Sequence, residues 1–148
     1  MRLFNSRWCE EMSCAAIIFA FACCLGCGGG GSQGGGDPAL VGTWVGTEAT
    51  SGSTVWTFTI TSTDAEVKMS TVAAYKGTYT ADASSNPKQI TITITDSATS
   101  TYVGKASNGI YKIEGTTMTF AGNEPGNSAR PADFSPGGLA MVFTLSKQ

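Results

Sequence analysis

ITITIT, residues 90–95, decides the fold. Ile90, Ile92 and Ile94 alternate with Thr91, Thr93 and Thr95, so a period of two sends every isoleucine to one face and every threonine to the other. β-Branched side chains are stiff at χ1 and pack well on a pleated surface, so both halves of the alternation favour a strand. VWTFTIT at 55–61 repeats the pattern, with Trp56, Phe58 and Ile60 on one face. Near the carboxyl end, Leu139, Met141, Phe143 and Leu145 alternate with Ala140, Val142 and Thr144. One apolar face and one wet face per segment is the pattern of half-buried antiparallel strands.

Working outward, turn chemistry cuts the chain into short pieces. Breakers lie at Ser51-Gly52-Ser53, Thr63-Asp64, Ser84-Ser85-Asn86-Pro87, Ser107-Asn108-Gly109 and Glu114-Gly115. They leave strands near 41–48, 53–61, 65–72, 74–81, 88–95, 108–114, 116–121 and 139–146. No long window carries a helical stripe. Eight short strands in sequence order predict an all-β, antiparallel up-and-down barrel, which removes the exposed edges of an open sheet. Residues 122–138, GNEPGNSARPADFSPGG, form the one long loop. Loops of that length are usually functional or packed, and Arg130, Pro131 and Phe134 are its anchors in a lid across one barrel end.

The amino-terminal region has different chemistry. Ala15 to Leu25 is an uncharged apolar run of eleven residues, short of the ~20 a membrane-crossing helix needs. With Arg2 and Arg7 before it, it fits the apolar core of a signal peptide. Leu25-Gly26-Cys27 resembles the bacterial lipobox, in which the cysteine is lipidated and becomes the mature amino terminus. GGGGSQGGGDP follows as a flexible leash. The expected organisation is therefore a lipoprotein signal peptide at 1–26, a Gly-rich tether at 27–38 and a barrel domain at 39–148. Gly28 after the lipidated cysteine favours sorting of this exported, lipid-anchored protein to the outer membrane or cell surface. Cys24 and Cys27 form a C-x-x-C with no second pair to complete a metal site.

Composition narrows the chemistry. All five cysteines precede residue 28 and there is no histidine, so the barrel lacks the commonest nucleophilic thiol, general base and metal ligand. Nine Lys+Arg against eleven Asp+Glu, a net charge of −2, gives no basic footprint for nucleic acid. Ser85-Asn86-Pro87-Lys88 fits the serine acylase pattern S-x-x-K, but that pattern needs a helix and Pro87 makes a turn. The carboxylates Asp64, Glu66, Glu114 and Glu124 fall at turns or on polar faces. Neither a catalytic nor a metal site is expected, and no cofactor.

"GTYTADASSNPKQITIT", "GIYKIEGTTMTF" and "ARPADF" together resemble an uncharacterised bacterial domain family, abundant in planctomycetes and related to lipocalin-like barrels. Its ordered motifs correspond to Gly77 and Tyr79, Pro87 to Ile90, Gly109 to Gly115 and Arg130 to Phe134. Leu40-Val41-Gly42-Thr43-Trp44 matches its L-x-G-x-W opening, which also resembles the lipocalin G-x-W. The resemblance implies a lipocalin-like barrel and export, and implies no reaction. It also implies a closure in which Trp44 packs at the closed end under the Arg130 guanidinium, with Phe134 filling the adjoining gap.

Two functional classes follow. In the first, the domain is a non-catalytic binding module that holds a small apolar ligand near Trp56, Tyr75, Tyr79 and Tyr111. In the second, the same aromatics are solid core and the domain is a structural or interaction module for an envelope protein. The lipidated Cys27 makes the membrane a partner in both.

Overall fold

The computed structural model describes residues 36–148. The expected signal peptide, the lipobox-like segment with Cys27 and most of the expected tether lie outside the described residues. A short 3₁₀ turn, Pro38–Leu40, leads into eight strands: β1 (Gly42–Glu48), β2 (Val55–Ile60), β3 (Asp64–Met69), β4 (Val72–Asp82), β5 (Lys88–Ser97), β6 (Ala106–Glu114), β7 (Thr117–Asn123) and β8 (Ala140–Lys147). Every strand pairs antiparallel with its neighbours in sequence, and β8 returns to β1, so the sheet closes. The all-β up-and-down barrel expected from the alternation is the observed fold.

The alternation sorts inside from outside as the chemistry requires. Trp56, Phe58 and Ile60 of β2 and Ile90, Ile92 and Ile94 of β5 are buried in one core with Phe120, Phe143 and Leu145. The threonines between them face outward. Gly115 takes φ of +62° at the β6–β7 hairpin, a left-handed conformation that suits glycine. Ser107-Asn108-Gly109, expected as a breaker, instead lies within β6 and pairs with β5, and the chain turns before it, through a second 3₁₀ turn at Ser100–Tyr102. Leu139 departs from the expectation. The alternation of β8, extended backward, predicts it inside, yet it precedes the strand and is 79% exposed.

The long loop is not a lid. It folds back along the outside of the barrel as a strap over β5 to β8. Ile110, Ala121 and Val142 lie side by side in adjacent registers on the outer face, and Phe134 packs against this cluster. Asn123 on the same face donates from Nδ2 to the Ala129 carbonyl at 3.0 Å, and Asn108 donates to the carbonyls of Asn127 and Ser128. Arg130 ties the strap down. Its Nη1 donates to the carbonyl oxygens of Ile90, at 2.6 Å, and Gly109, and its Nη2 donates to Thr91 Oγ1 at 2.8 Å.

These contacts correct two expectations. Arg130 does not stack on Trp44, and Phe134 does not fill a gap beside it. The guanidinium is a planar fork of donors, and the backbone carbonyls where β5 meets β6 give that fork acceptors that an indole face cannot supply.

Phe134→Ala is therefore expected to cost about 1–2 kcal/mol, less than the roughly 3–5 of a fully buried phenylalanine, because the ring is only partly buried. Equilibrium denaturation measures the cost. Limited proteolysis should cut the variant within 124–138 first, and an unchanged midpoint would show the strap to be unattached.

Candidate functional site

The two ends of the barrel differ. At one end lie the 3₁₀ turn, the β2–β3, β4–β5 and β6–β7 hairpins and the carboxyl terminus. This end is closed. Leu40 and Trp44 are fully buried, and Trp44 Nε1 donates to the Leu40 carbonyl at 2.7 Å, which fixes the turn under the barrel. The cation over the Trp44 ring is Lys147, whose Nζ lies 5.0 Å from the ring centroid. Antiparallel pairing of β1 with β8 sets Lys147 opposite Trp44, so register supplies the cation that the resemblance assigned to Arg130.

Asp37 belongs to this plug. The sequence placed it with Pro38 in the tether, but Pro38 opens the 3₁₀ turn and Asp37 caps it through the Ala39 N–H at 3.0 Å. Its carboxylate, only 9% exposed, also accepts from Lys88 Nζ at 2.8 Å and from the Tyr111 hydroxyl at 3.0 Å. Burial alone would raise the Asp37 pKa, but the hydrogen bonds from Lys88, Ala39 and Tyr111 outweigh it, and the carboxyl is held below its ordinary 3.8. Tyr111 is pushed up, first by burial and then by donating to Asp37. Tyr79 donates to the Thr61 carbonyl at 2.8 Å. Tyr79 and Tyr111, expected in a ligand cup, are thus structural members of the plug. Their hydroxyls are already committed.

The opposite end carries the β1–β2, β3–β4, β5–β6 and β7–β8 connections, and it is a mouth. Beneath it is a cavity of about 40 Å³ lined by Trp56, Phe58, Val67, Tyr75, Ile92 and Met141, among others. Trp56 and Tyr75 are therefore where a ligand site would place them. An interlocked aromatic cluster forms the floor: Phe143 lies 5.1 Å from Trp56 and 5.3 Å from Phe58 between centroids, and Phe58 lies 5.4 Å from Phe120. Tyr102 in the β5–β6 loop packs at 6.0 Å from Tyr75 and donates its hydroxyl to Glu124, linking two loops across the mouth. Desolvation, with the Glu124 carboxylate adding to it, raises the Tyr75 pKa. Trp56 Nε1 is buried and has no hydrogen-bond acceptor among the described residues.

The mouth is also where apolar side chains meet solvent. Val55, Met69, Val72, Val103 and Leu139 are exposed, and each lies in or beside one of its four connecting loops. Sequence reasoning missed this crown because each residue, read alone, is an ordinary surface hydrophobe.

The remaining chemistry-bearing residues are held apart. Ser85 donates to the Asp82 carboxylate, which its hydrogen bonds from Ser84 and Ser85 pull down to about 2, whereas Lys88 pairs with Asp37. The S-x-x-K pair is thus a turn cap and an ion-pair partner. Glu66 lies 3.1 Å from Lys68 and 3.4 Å from Lys76, and Glu114 lies 3.2 Å from Lys112. These are surface pairs of small energetic weight. Among the described residues no cluster of metal-ligating side chains forms.

No protein-family model matches the chain, and no curated protein and no solved structure is significantly similar to it.

The Asp37 geometry sets a pH dependence. A carboxyl held below its ordinary 3.8 in the folded state contributes stability above that value and loses it as pH falls through the lower folded value. Asp37→Asn should therefore lower the denaturation midpoint at neutral pH, and the gap to the wild type should close below pH 3.8. A gap that stays constant through the acid range would mean that the carboxylate plays no part in the plug.

Proposed function

We propose that this chain is an exported, lipid-anchored envelope protein whose barrel is a non-catalytic, lipocalin-like binding module, with its mouth as the working end. The observation that carries the reading is the apolar cavity at the mouth, opposite the end where the chain enters the barrel. The lipobox-like segment at Cys27 supports the anchor, and the resemblance of the motif order to a domain family related to lipocalin-like barrels supports the class. Acyl chains on Cys27 would bind an outer-membrane or cell-surface leaflet durably, since several buried chains hold where one does not. From Cys27 to the plug at Asp37 the chain reaches roughly 33–36 Å at full extension, enough for the barrel to turn its mouth in any direction.

The size of the cavity limits what it holds. At about 40 Å³ it accommodates roughly two or three non-hydrogen atoms, against about 300–1,000 Å³ for a usual ligand pocket. The barrel accordingly takes the end of a slender apolar molecule, with the rest of that molecule at the rim. A second reading, an interaction module for an envelope protein, is favoured by the exposed aliphatic residue at each of the four mouth loops, a rim suited to an apolar patch on a partner.

Two measurements test the proposal. Phase partitioning in detergent should place the wild-type protein in the detergent phase and Cys27→Ala in the aqueous phase; aqueous behaviour of both removes the anchor. Dissolved xenon should shift the methyl resonances of Val67 and Ile92 saturably. Unmoved methyls would remove the apolar site and leave the interaction reading.

A further inference from the structure

We infer that the mouth cavity selects a neutral acyl or keto group, with Trp56 Nε1 donating a hydrogen bond to its carbonyl oxygen; the inference rests on the binding reading above and names its ligand chemistry.

Three observations point the same way. Trp56 lines the cavity, and its buried indole N–H is a donor that the fold leaves without an acceptor. Buried donors are nearly always paired, and one left orphaned costs about 1–3 kcal/mol. Of the other polar side chains at the wall, Ser107 and Asn123 are already engaged, and the Tyr75 hydroxyl has no hydrogen-bond partner among the described residues. Ser107 donates to the Asn123 carbonyl at 2.6 Å, and Asn123 Nδ2 donates to the Ala129 carbonyl. A water molecule, which needs two to four polar partners, is poorly served by such a wall, so a ligand oxygen meets little competition.

The same wall excludes neighbouring chemistries. None of the cavity-lining side chains is charged, and Glu124 stands at the rim on the Tyr102 hydroxyl. An ionised carboxylate would be buried without a counter-charge and repelled on the way in. A plain hydrocarbon fits but leaves the indole unpaired. A head of two or three heavy atoms with one acceptor suits the space: the end of a methyl ketone or an acetyl ester, with its apolar body running out past Tyr75 and Met141.

The test compares 2-butanone with 2-methyl-1-butene, which replaces the carbonyl oxygen by a methylene of similar shape, on the intact protein labelled with ¹⁵N at tryptophan. The expected result is saturable binding of both, the ketone about two- to tenfold tighter, with the Trp56 indole proton moving downfield only with the ketone. The Trp44 indole, already bonded to the Leu40 carbonyl, should not move and serves as the internal control. In Trp56→Phe the preference should vanish while the alkene still binds. Should that variant not fold, the wild-type preference and the indole shift decide alone. Equal affinity for ketone and alkene overturns the inference and spares the binding reading; binding of neither overturns both. An indole proton that resonates upfield and stays there with the ketone would place the N–H on the Phe143 ring face and also overturn the inference.

Discussion

Closure of the sheet through the β1–β8 ladder is the constraint from which the rest of the molecule follows. The pairing runs from Trp44 opposite Lys147 to Glu48 opposite Phe143 and leaves neither edge free. It needs the two strands in tight contact, and Gly46 shows how tight: a Cβ there would collide with the Thr144 carbonyl and the Leu145 backbone. Once the ladder closes, an eight-stranded barrel has an interior little wider than the side chains that fill it. Trp56, Phe58, Phe120 and Phe143 use most of that space by meeting edge to face and at tilted angles. The register that closes the barrel also sets Lys147 over Trp44, so closure, packing and the cation contact share one cause.

The inner face was legible because it obeys a two-residue period, and the outer strap was not because it breaks one. The sequence did hold a sign of it. Ile110-Tyr111, Phe120-Ala121 and Val142-Phe143 are consecutive apolar pairs, whereas a strand with one wet face should alternate. In each pair one member faces the core and the other the outside, and the outer three line up only once strand register is known. Most strand boundaries needed no register and fell near the turn signals; the exception is Ser107-Asn108-Gly109, which pairs with β5 inside β6. Of the aromatics read as a possible cup, Trp56 and Tyr75 reach the mouth cavity and Tyr79 and Tyr111 the plug. The alternation that put all four inside does not say at which height along the barrel each sits. Arg130 was misplaced for a different reason: a cation was correctly expected at Trp44, but fold analogy cannot say which residue supplies it.

Polar groups are distributed unequally between the two ends. At the plug, Asp37 gathers Lys88, Tyr111 and the Ala39 N–H, Tyr79 reaches the Thr61 carbonyl, and Trp44 reaches the Leu40 carbonyl. Each buried polar atom there brings its own partner, as an end built for stability requires. At the mouth the balance reverses: aliphatic side chains face solvent, and a buried donor lacks an acceptor.

Trp44 and Trp56 make that contrast within one residue type. Both are nine-tenths or more buried in the same core, yet one N–H closes a 2.7 Å hydrogen bond and the other closes none. The fold offers the Trp56 nitrogen no hydrogen-bond acceptor, and its N–H bears the desolvation of burial. A polar atom that the fold does not use, set beside the cavity at the one end where the barrel is open, is what a site for an acceptor-bearing guest would contain and what a barrel packed only for stability would omit.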